Sequence, residues 1–454
     1  MNNLDTVLDN QRDFFKSKAS IDINFRKGAL NKLKNLIILN EKEILDALNY
    51  DLGKSPFEGY STEVGLILSE IAYAVSNLNK WSAVKRVRTP ITNFKSQSYI
   101  YPEPFGNTLI ISPWNYPFQL AFGPLIGAIA AGNTAIIKLS STSVNTTKII
   151  EEIINNNFDK GYLYVVTGEE GRKAIDKKFD YIFYTGSPSV GRLIMEKASK
   201  NLTPVTLELG GKSPCIVDCE GDLKLFAKRI VWGKFLNCGQ TCIAPDYILV
   251  QRKIKDELIN NMIYYIEEFY GKDPENNKEY GRIVNLNHLN RLKKLIEKSN
   301  IVYGGKINSD NLYFSPTILK DVTWDDPVMK EEIFGPILPI LEYESLDEVI
   351  DIVNEHEKPL ALYFFSNNEK KIQRIIRNTS YGGGCINDTI MHIANSNLPF
   401  GGVGMSGIGS YHGKKSFDTF THYKSVLRKS TKIDINLRYP PYGDKLKFIK
   451  RVLK

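Results

Sequence analysis

Asn107-Thr108-Leu109-Ile110-Ile111-Ser112-Pro113-Trp114-Asn115-Tyr116-Pro117 decides the fold class of this 454-residue chain. A β-branched apolar run stops at Ser112-Pro113, and an apolar stretch of helical length, Phe118 to Ala131, follows. The alternation then repeats. Strands are predicted over 108–111, 134–138, 163–166, 181–184 and 205–209, with helical periodicity between them. Strand–helix alternation of this kind builds a parallel, doubly wound α/β sheet, whose ligands bind beyond the carboxyl ends of the strands.

Upstream, residues up to about 80 read as helices. Asn40 with Glu43 looks like a capping box, Gly53 a stop, and Ser55-Pro56 with Glu58 a second start. Residues 81–104 differ: they are basic, contain Thr89-Pro90, and alternate Tyr99 with Tyr101, as an exposed hairpin would. Downstream, a second alternating set runs from 211 to about 379, with strands predicted over 215–217, 247–250, 337–341 and 360–365. So long a chain exceeds one hydrophobic core and implies two or three domains.

Composition narrows the class of function. Hydrophobic residues at 42% and charged residues at 24% are ordinary for a soluble globular enzyme. The net charge of +8 is spread along the chain, which suits anionic ligands and gives no nucleic-acid footprint. Five cysteines do not make a disulfide scaffold. Met1-Asn2-Asn3-Leu4-Asp5 opens a polar amphipathic segment rather than a signal peptide, and no apolar run of about 18 residues occurs. The expectation is a cytoplasmic protein without a membrane span.

The ends of the predicted strands carry the chemistry. Asn115 offers two amide donors beside a helix start, suited to an oxyanion or to simple capping. Lys138 closes the second strand, where a cation meets a ribose or phosphate, or merely solvent. Gly186-Ser187-Pro188-Ser189-Val190-Gly191 follows the fourth strand; Gly186 admits close backbone approach, and the helix after it points free N–H groups outward, as a pyrophosphate requires. The same spacing also fits an ordinary turn. Thr206 and Glu208 share one face of the fifth strand. Glu208 is either an ion-pair partner or a general base, and the room left by Gly210-Gly211 favours the base.

Asn237-Cys238-Gly239-Gln240-Thr241-Cys242-Ile243-Ala244-Pro245-Asp246 connects a helix predicted over 223–235 to the strand at 247. Loops between rigid elements present reactive groups, and an ionised thiol forms a thioester that water can open. A four-thiolate metal site from Cys215, Cys219, Cys238 and Cys242 is rejected: positions four apart on a strand lie roughly 13 Å from each other, while zinc needs sulfurs at about 2.3 Å. No metal is expected. Cys215 and Cys219 are read as packing residues, and a reversible Cys238–Cys242 disulfide is a minor alternative.

Leu207-Glu208-Leu209-Gly210-Gly211-Lys212-Ser213-Pro214, then Gly239-Gln240-Thr241-Cys242, resembles the aldehyde dehydrogenase superfamily. Pro113-Trp114-Asn115, the Gly186–Gly191 turn and Glu331-Glu332-Ile333-Phe334-Gly335-Pro336 match it in order, over about residues 1–430. Ala244-Pro245-Asp246-Tyr247 and the stretches Leu398 to Gly404 and Tyr411 to Phe417 resemble its class 3 branch, which includes fatty aldehyde dehydrogenases.

The resemblance implies a doubly wound dinucleotide-binding domain (1–80 and 105–210), an α/β catalytic domain (211–380), and a β oligomerisation arm (81–104 and 381–430) before a tail (431–454). It implies Cys242 as nucleophile, the Asn115 amide and the Cys242 N–H around the oxyanion, and Glu208 as the base that activates water. It implies that Pro113, Trp114, Lys138, Gly186, Ser187, Gly191, Leu209, Glu332 and Phe334 bind NAD or NADP. Glu332 would take the nicotinamide ribose hydroxyls, and Phe334 would pack near the nicotinamide. The usual Lys-Pro-Ser-Glu reads Lys138-Leu139-Ser140-Ser141 here. The carboxylate that would repel a 2′-phosphate is missing, so NADP is expected to be accepted alongside NAD. The implied substrate is a medium- or long-chain aliphatic or aromatic aldehyde, and the implied assembly a homodimer.

Two alternatives remain beside this reading: a cofactor-independent thiol esterase and a non-catalytic binding protein on the same fold. Glu208 favours water over coenzyme A as acyl acceptor. His392, His412 and His422 are assigned to loops or packing. The tail alternates Leu446, Phe448, Ile449, Val452 and Leu453 with cations. A frayed solvated terminus is the favoured reading, ahead of contact with an anionic membrane surface.

Overall fold

The computed structural model describes residues 4–453. Met1, Asn2 and Asn3 of the predicted amphipathic start, and Lys454 of the basic tail, lie outside them. The five predicted strands form as Asn107–Ile111, Thr134–Lys138, Leu163–Val166, Tyr181–Thr185 and Val205–Glu208. They pair in parallel, and Gly407–Ile408 adds an antiparallel edge against Val205–Glu208. The spatial order is fifth, fourth, first, second, third. The chain therefore reverses direction across the sheet beside Asn107–Ile111, and Ile111 lies level with Tyr184 of the neighbouring strand. The segments that leave these two strands diverge from a crevice, the position where such sheets take ligands. Behind it runs Gln119–Ala131, with every residue buried; a helix apolar all round has no face to give to water.

The second sheet has seven strands, in the order Asn300–Tyr303, Thr317–Lys320, Ile337–Tyr343, Tyr247–Gln251, Pro214–Val217, Ala361–Phe365 and Gly383–Ile386. Only the first pair is antiparallel. Gly383–Ile386 still belongs to this sheet, so the chain leaves it after residue 386 rather than at 380. Leu209 to Ser213 carry the chain from the first sheet into the second, and it returns to the first at Gly407–Ile408 beside Glu208, so Glu208 lies at the seam between them.

Lys85–Val87, Ser96–Pro104 and Thr421–Lys429 make a separate three-stranded antiparallel sheet. Residues His422 to Arg428 are all exposed. Because consecutive strand residues face opposite sides, this strand is open to solvent on both faces within one chain.

Near the N-terminus, Gly53 ends its helix at φ 67° and the Ser55 hydroxyl accepts the Glu58 N–H at 3.3 Å. Asn40 does not form a capping box. Its side chain donates to the Leu36 carbonyl at 2.7 Å and accepts no helix N–H. Asn40 also terminates the helix Ile23–Leu39, and its backbone (φ −107°, ψ 17°) turns the amide back onto that helix. The tail forms a helix over Lys445–Val452, with Leu446 and Phe448 exposed to solvent on it. Among the described residues no helix is long and apolar enough to cross a membrane.

Candidate active site

A cavity of about 690 Å³ opens where the crevice of the first sheet faces the strand starts of the second. That volume suits a cofactor together with a small organic substrate. Cys242, Asn115 and Glu208 all line it.

Cys242 reaches the cavity from a constrained turn. Asn237 and Cys238 are both left-handed, at φ 51° and 53°, which costs on the order of 1 kcal/mol or more for each non-glycine residue. Hydrogen bonds hold the turn in place: Asn237 N–H donates to Glu58 Oε1 at 2.8 Å, and Asn237 Nδ2 donates to the Asn115 carbonyl at 2.8 Å. Gln240 Nε2 donates to the carbonyls of Asn237 and Arg282, and its Oε1 accepts the Val284 N–H. The Tyr116 and Thr241 hydroxyls meet at 2.7 Å.

Burial pushes the Cys242 thiol upward, and the carboxylates of Glu332 and Glu208 push it the same way. The N–H groups of Cys242 itself and of Ile243 point at Sγ and pull it down. The same Cys242 N–H can serve the thiolate before attack and an oxyanion after it. Cys238 is fully buried, with Sγ 3.4 Å from the Tyr280 hydroxyl and 3.9 Å from the Phe314 carbonyl. It is engaged with the core rather than with the cavity, and both thiols are free.

Asn115 follows strand Asn107–Ile111. Its Nδ2 donates one hydrogen to the Gln240 carbonyl at 3.0 Å. An amide nitrogen carries two, so one remains for a ligand. Glu208 ends strand Val205–Glu208, is 2% exposed, and has no hydrogen-bond partner among the described residues at either carboxyl oxygen. Burial alone raises its pKa well above the usual carboxylate value, which favours the protonated form.

Pro113, Trp114, Gly186, Ser187, Leu209, Glu332 and Phe334 also line the cavity. A Cβ on Gly186 would come within 2.3 Å of the Tyr184 hydroxyl, so only glycine lets the backbone lie open here. Ser187 Oγ accepts from the Val190 N–H and starts the helix Pro188–Ser199. The Trp114 ring lies 4.8 Å from His288 and 5.4 Å, edge to face, from Phe334. The Glu332 carboxylate rests on Gly210, where a Cβ would come within 2.0 Å of Oε2, and accepts the Gly211 N–H. Burial, then the neighbouring Asp246, push its pKa up to about 8. Open glycine backbone, a capped helix start and facing aromatic rings together fit a dinucleotide.

Two residues assigned to the cofactor do not line this cavity. Gly191 packs instead against Leu209, where a Cβ would sit 2.9 Å from Cδ2, so it acts by letting helix and strand approach. Lys138 ends its strand half-buried, its pKa lowered by burial and then by the Arg172 cation. It is not among the residues that line the cavity, and its strand lies between the first and third of the sheet.

Several lining or supporting groups were not foreseen. Lys212 pairs with Asp246 and donates to the Glu331 and Val328 carbonyls, and Asp246 accepts the Ile333 N–H at 2.9 Å. Arg291 donates to Glu331 and to the Glu332 carbonyl. These bonds fix the segment that carries Glu332 and Phe334. His288 stands one helical turn before Arg291 on Leu286–Ile296; that i, i+3 spacing was the only local signal for the pair. Cys215 is fully buried within its strand. His412 is packed against Tyr411 and Phe400, His392 lies 3.4 Å from the Cys385 sulfur, and His422 pairs with Glu103 on the arm.

The sequence and the architecture match known proteins. The model of the aldehyde dehydrogenase family matches residues 2–426. A 4,4'-diaponeurosporen-aldehyde dehydrogenase of Staphylococcus aureus is 51% identical, with all of both chains covered. Aldehyde dehydrogenase family 3 member A2 of Pongo abelii is 47% identical over 95% of this chain and 90% of its own. A dimeric, NADP-preferring aldehyde dehydrogenase of Mus musculus is 44% identical over 98% of this chain and 99% of its own. The solved substrate-bound state of Staphylococcus aureus AldH superposes with a TM-score of 0.98 at 51% identity, covering all of both chains. With the match running through both sheets and both sides of the cavity, the chain belongs to the aldehyde dehydrogenase family, in its class 3-like branch.

Proposed function

We propose that this aldehyde dehydrogenase oxidises its substrate through a thioester on Cys242. The thiolate adds to the aldehyde carbon, and the carbonyl electron pair moves onto oxygen. The free N–H of Asn115 and the Cys242 N–H hold that oxyanion, a donor set of the kind worth about 3 kcal/mol per bond removed. Collapse of the adduct restores the carbonyl as the hydrogen leaves with its electron pair. When NAD or NADP is bound, its nicotinamide supplies the acceptor for that hydride. Glu208, in its ionised form, then takes a proton from water, the hydroxide adds to the thioester, and the thiolate departs to leave a carboxylic acid, which releases its proton to solvent as the carboxylate product. The observation that carries this reading is the convergence of Cys242, the spare Asn115 donor and the unpartnered Glu208 on one cavity.

The division of labour follows the sheets: the first, with Gly186, Ser187 and Leu209, receives the cofactor, and the second carries the nucleophile. The cavity is predominantly apolar, with Leu120, Trp324 and Met329 among its walls, which supports a medium- or long-chain aliphatic or aromatic aldehyde. Ser141 in place of an acid, with Lys138 and Arg172 nearby, supports use of NADP alongside NAD, in line with the NADP-preferring mouse relative. The doubly open arm sheet, with Tyr423, Val426 and Leu427 exposed, supports a homodimer joined through the arm. The short apolar-and-basic tail helix supports at most a peripheral contact with an anionic membrane surface.

The test is a chain-length panel of aldehydes run with NAD and NADP in parallel, read by reduced-nicotinamide absorbance, with Cys242→Ala as blank. The expected result is turnover that improves with chain length and vanishes in the blank. Ester cleavage without any growth of absorbance would replace the reading by a thiol esterase.

A further inference from the structure

A charged pair that touches no reacting atom ties down the Asn115 turn from behind. The Lys54 and Glu63 side chains have no exposed surface. Lys54 follows the helix Glu41–Leu52, and Glu63 sits in the single π-helical turn Tyr60–Val64. Lys54 Nζ donates to Glu63 Oε1 at 2.5 Å and to the Asn115 carbonyl at 3.1 Å, and stands 3.9 Å from the Tyr116 ring centre. Glu63 Oε2 accepts the backbone N–H groups of Phe118 at 2.8 Å and Gln119 at 3.1 Å. One ion pair thus grips both the peptide of Asn115 and the start of the buried helix behind it.

Burying two charges is a poor way to add stability, because desolvation offsets most of the attraction. What such a pair does supply is direction: a carbonyl bound to a buried ammonium has one low-energy position. The Asn115 side-chain amide makes one hydrogen bond among the described residues, to the Gln240 carbonyl, so the aim of its second hydrogen follows the peptide, whose carbonyl is held jointly by Lys54 Nζ and by Asn237 Nδ2. We propose that Lys54 and Glu63 are positioning residues for the reaction: by fixing the Asn115 peptide they aim the spare amide hydrogen at the aldehyde oxygen. The inference rests on Asn115 as the oxyanion donor. A misplacement of about 1 Å costs on the order of 100-fold in rate, and the loss is capped by what Asn115 itself contributes.

The test is a mutant cycle in the full-length enzyme. Lys54→Met with Glu63→Leu removes both charges together and leaves no orphan ion, Asn115→Ala removes the donor, and the triple variant combines them. The expected result for the charge-free variant is a kcat lower by roughly 10- to 100-fold, with KM and cofactor affinity within about twofold of the parent. In the Asn115→Ala background the same pair of substitutions should change kcat by no more than about twofold, because the group being positioned is gone. Lys54→Arg, which keeps the cation beside Glu63 but moves its donors, repeats the comparison should the charge-free variant not fold. An unchanged kcat, or an equal loss with and without Asn115, overturns the inference. A wild-type kcat in Asn115→Ala alone is a different result: it removes the oxyanion role itself, and the inference with it.

Discussion

On the proposed mechanism, Glu208→Gln separates the two halves of the reaction. The side chain is 2% exposed and neither carboxyl oxygen has a partner, so an amide of nearly the same shape breaks no hydrogen bond. What it removes is the capacity to accept a proton. A positioned general base contributes about 10²- to 10⁴-fold, and the thioester is the step that needs it. Attack by Cys242 and hydride departure use Asn115 and the turn N–H groups, which the substitution leaves in place. Rapid mixing of variant, cofactor and aldehyde should give one burst of reduced nicotinamide per site, then steady-state turnover lower by 10²- to 10⁴-fold. The pH dependence gives a second reading. Burial raises the Glu208 pKa, so its basic form appears only above that raised value, and wild-type turnover should climb with pH while the amide variant stays flat. Stability moves in the opposite sense. The proton retained on folding stabilises fully below the unfolded pKa near 4.5, and that contribution is lost as pH rises through the folded value. The amide variant should therefore gain on wild type as pH increases. Loss of the burst itself, or a variant that turns over like wild type, would refute the assignment.

Other outcomes follow from the same geometry. Ser141→Glu restores a carboxylate at the end of strand Thr134–Lys138 and should shift the ratio of kcat/KM toward NAD by at least about tenfold, or about 1.4 kcal/mol; an unchanged NADP-to-NAD ratio would detach this position from cofactor choice. On the proposed homodimer, Leu427→Asp charges the doubly open arm, where Leu427 is 50% exposed, and should shift sedimentation from dimer to monomer, whereas an unaltered dimer would place the interface elsewhere. Glu58, buried under the Asn237 N–H, has its pKa raised to about 7, chiefly by burial. Its protonated form favours folding below the unfolded value of 4.5, and the benefit disappears as pH rises through about 7. Denaturant melts of Glu58→Gln should thus gain on wild type between pH 5 and 8, by at most roughly 3 kcal/mol; parallel pH profiles would show that Glu58 ionises freely.

The contrast between Cys242 and Lys54 shows what a linear reading can reach. Period-two and helical patterns are set within a few neighbouring residues, and so are turn residues such as Gly53 and Ser55. Those features determined the first sheet almost strand for strand, and the motifs at its strand ends brought out Asn115 and Glu208. Asn40 shows where even local chemistry fails: one residue borders two helices, and only the backbone path decides which of them its amide serves.

The sequence by itself determined the alternating elements and the parallel sheet, because short-range sterics and hydrophobic period encode both locally, while the candidate thiol, amide and carboxylate came from motifs that resemble the family. Only the tertiary structure decided that Cys242 and Glu332 line one cavity from the starts of second-sheet strands, facing the ends of first-sheet strands. It alone placed Lys54 under Asn115, seated His288 against Trp114, and removed Gly191 and Lys138 from the cavity wall. The physical reason is that these relations depend on how two sheets and a buried helix pack. Packing brings together residues dozens to hundreds of positions apart, at ångström tolerances that no local pattern records.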